Sequence, residues 1–80
     1  MAKTLHSQSY MALVTLLREL RADRGLTQQM VAERLDKPQS YIAKVESSER
    51  RIDVPEFVAL VRAMGADPIE VFRVFTEKLP

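Results

Sequence analysis

Four positions near the middle of this 80-residue chain, Gln39, Ser40, Ala43 and Lys44, are of the types that touch the edges of bases. A glutamine carboxamide pairs with adenine through N6 and N7, and a serine hydroxyl serves several bases. A lysine ammonium meets guanine O6 or N7, or a phosphate, while an alanine leaves room for a thymine methyl. Ser40 and Lys44 are four residues apart, so a helix places them on one face. Gln39 and Ser40 stand at the start of that helix, the end that enters a major groove first. Lys37, Tyr41, Arg50 and Arg51 are further donors suited to the phosphate backbone. Polar groups on short helices are most often plainly solvated, so these residues gain meaning only from the elements that carry them.

Thr27 has the side-chain oxygen of a helix cap, and Val31, Ala32 and Leu35 form the inner stripe of a short helix. Asp36-Lys37-Pro38 reads as a turn, because Pro38 cannot continue one helix but can begin the next. A second short helix is expected over residues 39–47, burying Ile42 and Val45. Small Ala32 and Ala43 let the two approach closely. Two short helices across a three-residue turn make a helix-turn-helix, whose second member is shaped for the major groove.

The flanking segments predict three more helices. Tyr10, Leu13, Val14, Leu17, Leu20 and Arg21 recur at helical spacing over residues 9–24, with Ser7 or Ser9 as cap and Gly25 as terminator. Asp53-Val54-Pro55-Glu56 is a capping box ahead of Phe57, Leu60, Val61 and Met64, and Gly65 ends that helix. Asp67-Pro68-Ile69-Glu70 repeats the start signal, with Ile69, Phe72 and Phe75 expected inward. The expectation is one all-α domain over residues 1–80, with five helices, a helix-turn-helix core at 27–47, and fraying over residues 1–8.

The runs Leu26-Thr27-Gln28-Gln29, Val31-Ala32-Glu33-Arg34-Leu35, Gln39-Ser40-Tyr41-Ile42 and Val45-Glu46 together resemble the XRE family of phage-repressor or Cro-type proteins. The likeness extends from about Leu17 to Phe72. It implies a lambda-repressor-like fold and binding of double-stranded DNA, with Gln28 on a phosphate. It also implies a salt bridge, Arg21 to Glu46, tying the first helix to the reading helix. Family members often carry glycine where this chain has Asp36 and Ser48, and both glycines would supply a left-handed residue.

Bulk properties set limits. A net charge of +1 is low for a nucleic-acid binder, so distribution matters more than the sum. Five Lys or Arg against three Asp or Glu lie between Arg34 and Arg51, giving a local positive face. There is no cysteine, hence no thiolate chemistry, and a cytoplasmic, nucleoid-associated location is the simplest expectation. His6 is the one histidine, and nothing in the sequence suggests a metal site, a cofactor, a small-molecule ligand, a membrane span or an enzyme. Surplus apolar residues Met11 and Leu16, and Val71, Val74, Phe75 and Leu79 near the C-terminus, predict an interface. Val71, Val74 and Phe75 are the expected homodimer contacts, serving a palindromic operator. The alternative is a protein-interaction module, or an antitoxin-like protein whose partner is a toxin or polymerase.

Overall fold

Residues 7–79 are the part of the chain that the computed structural model describes, and among them there are five helices and no strand. They are α1 (Gln8–Asp23), α2 (Gln28–Arg34), α3 (Gln39–Glu46), α4 (Val54–Ala63) and α5 (Pro68–Glu77). The fraying expected of residues 1–8 falls mostly outside this range, as does His6. Within it, Gln8 is already helical and Ser7 is its cap.

Four helices start on a side-chain oxygen that accepts an otherwise unpaired amide. Ser7 Oγ accepts from Tyr10 N (3.1 Å), Thr27 Oγ1 from Met30 N (3.0 Å) and Asp67 Oδ1 from Ile69 N (3.0 Å). Asp53 accepts from Glu56 N (2.8 Å) and Glu56 returns the bond to Asp53 N (2.9 Å), closing the expected capping box. Only α3 begins without one, since Pro38 occupies its cap position.

Four helices also end alike. Gly25, Asp36, Ser48 and Gly65 have φ of 67°, 57°, 67° and 81°, the left-handed region. The amide after each reaches back five residues: Leu26 N to Arg21 O, Lys37 N to Ala32 O, Glu49 N to Lys44 O and Ala66 N to Val61 O. This is the Schellman closure, which satisfies a carbonyl left free at the helix end. Asp36 and Ser48 thus adopt the conformation that favours glycine.

Val14 and Leu17 of α1, Val31 and Ala32 of α2, and Ile42 and Val45 of α3 are almost wholly buried. Phe57, Leu60, Val61 and Met64 join them from the α4 segment, and Val71 from α5. The α5 expectation needs correction. Ile69 and Phe72 are 74% and 54% exposed, and the inward line is Pro68, Val71, Phe75 and Leu79. This last helix packs chiefly on α1 and α4, so one narrow stripe suffices to seal it. Val71 is therefore core, not free interface. No helix among the described residues is long and apolar enough to cross a membrane.

The left-handed termini make a prediction. Asp36 is exposed, so Asp36→Gly removes backbone strain without opening the core. A gain of about 0.5–1 kcal/mol is expected, read as a higher midpoint in thermal melts. An unchanged or lower midpoint would show that Asp36 holds this conformation without strain.

Candidate nucleic-acid interface

Glu46, the last residue of α3, is 8% exposed. A buried carboxylate is tolerable only with partners, and here it has two. Arg21 of α1 approaches it side-on, Nε donating to Oε2 (2.6 Å) and Nη2 to Oε1 (2.9 Å). Its third nitrogen donates to Leu26 O (2.8 Å). Gln28 Nε2, from the first turn of α2, also donates to Glu46 Oε1 (2.9 Å). The Gln28 oxygen then accepts from Gln39 Nε2 (3.3 Å), at the first residue of α3. One hydrogen-bonded line thus runs from α1 through both ends of α3. The Glu46 carboxylate pushes the Arg21 guanidinium above its usual range, against the opposing effect of burial.

α3 is two-faced. Ile42, Val45 and Glu46 are buried, whereas Gln39, Ser40 and Lys44 are exposed and Ala43 is half-buried. The four expected base readers therefore lie on the outer side, over a sealed seam. Three of the expected phosphate contacts are gathered beside them. Lys37 Nζ and the Arg50 guanidinium lie over the Tyr41 ring, 5.1 Å and 4.8 Å from its centre. These are cation–π distances. Burial, then the charge of Glu56, raises the Tyr41 phenol above its ordinary value, so it stays a hydrogen-bond donor.

Arg50 is already occupied. Its two terminal nitrogens donate to both Glu56 oxygens (3.2 Å and 2.9 Å). That pairing, with the Asp53 amide second, holds the Glu56 carboxyl below its ordinary 4.5. Arg51 stands apart from this cluster, its guanidinium 4.3 Å from the centre of the Tyr10 ring. Gln28 is also partly committed, although its amide nitrogen keeps a second hydrogen beyond the one given to Glu46.

Several contacts have no local signal in the sequence. Arg24 Nη1 donates to Gly65 O (2.8 Å) and Arg34 Nη1 to Ala63 O (2.7 Å), so two arginines close the C-terminus of α4. Cations suit a helix end, but these come from the residue that closes α1 and from α2. Tyr10, expected only as core, also holds the loop after α3. Of the expected dimer residues, Val74 is 37% exposed and Phe75 half-buried, while Val71 is sealed. Val54, Ile69 and Phe72 are more exposed than any of them.

The geometry agrees with the comparisons. Residues 12–73 match the family model described as "Helix-turn-helix domain". An XRE-family like protein from Pseudomonas syringae pv. tomato is 42% identical over 96% of this chain and 94% of its own, with a TM-score of 0.88. The clp gene regulator ClgR of Corynebacterium glutamicum is 23% identical, covering 94% and 97%, with a TM-score of 0.78. The restriction-modification controller protein C.Esp1396I, solved as a tetramer with its natural 35 base-pair operator, is 15% identical, covering 90% and 95%, with a TM-score of 0.82. No curated protein matches. The chain belongs to the helix-turn-helix family, in its XRE class of DNA-binding transcription regulators.

The Arg21–Glu46 pair is testable by a double-mutant cycle. Glu46→Ala strands a charge in a site where Arg21 is only 20% exposed. It should cost up to about 3–5 kcal/mol in denaturant unfolding, against little for exposed Glu49→Ala. Arg21→Met with Glu46→Leu should recover much of that loss. Strictly additive single effects would mean that the pair contributes no coupling.

Proposed function

We propose that this protein is a sequence-specific regulator that lays α3 in the major groove of double-stranded DNA. In this reading Gln39, Ser40, Ala43 and Lys44 meet base edges. Gln28, Lys37, Tyr41, Arg50 and Arg51 meet the phosphates. The observation that carries it is the Glu46–Gln28–Gln39 line, which holds the first exposed residue of α3 from beneath. A carboxamide already positioned by another carboxamide can turn its remaining donor and acceptor to a base at small entropic cost. The uncapped start of α3 adds amides beside the same edge.

Binding-site selection tests the readers. Gln39→Ala and Lys44→Ala should each change the preferred base at one or two positions, costing about 1–3 kcal/mol per lost bidentate contact. Lys37→Ala should weaken all sequences alike. Preferences identical to wild type in both reader variants would refute this assignment of α3.

A homodimer on a palindromic operator belongs to the same reading. One short helix contacts few base pairs, and a second copy about a two-fold axis doubles the information. Half-sites would then lie about 34 Å apart, or a multiple of that. The tetramer of C.Esp1396I on its operator shows the same fold assembling on DNA and supports the reading. With Val71 in the core, the contact surface is Ile69, Phe72 and Val54, with Phe75 at its margin, while Val74 lies on the opposite side of α5 beside α1. In sedimentation, Phe72→Glu should yield folded monomer where wild type is dimeric. A wild type that remains monomeric at tens of micromolar, with or without operator DNA, would remove the dimer.

A further inference from the structure

The first turn of α1 reaches the loop that joins α3 to α4. Tyr10 is 6% exposed, and its hydroxyl donates to Arg50 O (3.3 Å) while accepting from Ile52 N (3.2 Å). A single oxygen thus grips the backbone on both sides of Arg51, from forty residues away. The Arg51 guanidinium lies over the ring of the same tyrosine. The next residue, Met11, accepts the Ser48 hydroxyl on its sulfur (3.2 Å). Ser48 is the buried, left-handed residue at which the chain leaves α3. Core volume alone would be filled as well by phenylalanine. The hydroxyl serves the shape of the loop, and that loop carries Arg50 and Arg51.

We infer that Tyr10 is a positioning residue for contact with the nucleic-acid backbone. Its hydroxyl fixes the Arg50 carbonyl and the Ile52 amide, so that the loop cations are held in one arrangement before a duplex arrives. The inference rests on the DNA-binding reading above. Cations on a fixed loop surrender less freedom on binding than cations on a loose one. Each phosphate so neutralised contributes about 0.9 to the slope of log affinity against log salt concentration. Tyr10 faces the loop backbone, not a base, so sequence preference is not its concern.

Tyr10→Phe keeps the ring and removes the two loop bonds. Its affinity would be measured across a salt series on a mixed-sequence duplex and on the duplex selected by wild type. Circular dichroism would confirm folding. The variant should bind both duplexes roughly tenfold more weakly at low salt, with a slope smaller by about one. The ratio between the two duplexes should stay at the wild-type value. A folded variant with wild-type slope and affinity overturns the inference, and so does a lower melting midpoint with unchanged slope, the mark of a purely structural hydroxyl. Failure of the wild type to bind either duplex would instead refute the DNA-binding reading itself. If Tyr10→Phe does not fold, Met11→Leu removes the other tie to the loop. A reduced slope there supports the inference, and a wild-type slope overturns it.

Discussion

Glu46 puts a carboxylate in the last turn of α3, where the helix end is already partly negative, and almost seals it from water. Both placements are unfavourable alone. They become stable only when a cation and a neutral donor arrive together, and Arg21 and Gln28 are those groups. Because Arg21 rises from α1 and Gln28 from the first turn of α2, satisfying one carboxylate fixes three helices at once. A hydrophobic pair of similar volume in place of both Arg21 and Glu46 would recover much of the stability. It would not dictate which helix meets which, nor hold Gln28 where Gln39 can reach it.

The helix ends work to the same purpose. α2 and α3 are short, so neither is stable by itself and both depend on tertiary packing. Each ends on a left-handed residue, Asp36 after α2 and Ser48 after α3, which turns the chain within one or two positions. Neither has the freedom of glycine. At Ser48 the buried hydroxyl gains a contact with Met11 that glycine could not make. At Asp36, which is exposed, the structure shows no such gain.

Two sets of cations have different partners. Arg24 and Arg34 are spent on the carbonyls that end α4 and so belong to the scaffold. Lys37 and Arg50 lie over Tyr41 of α3, and Arg51 lies over Tyr10 of α1. Aromatic faces hold guanidinium and ammonium groups without neutralising them. Arg50 is also matched by a carboxylate, Glu56.

Caps, periodicity and the turn at Asp36-Lys37-Pro38 were enough to place all five helices, because these signals act over three or four residues of chain. The two-faced pattern of α3 was legible for the same reason, since residues 39, 40, 43 and 44 against 42 and 45 is a local arrangement. The inward face of α5 was not. That helix has two apolar lines, one through Ile69 and Phe72 and one through Val71, and both include Phe75. Choosing between them requires knowing where α1 and α4 lie. The reach of Arg24 and Arg34 to α4, and of Tyr10 to the loop after α3, spans 41, 29 and 40 residues of sequence. Periodicity carries no information at that range. Only the packed arrangement of the helices brings those donors and acceptors within hydrogen-bonding distance.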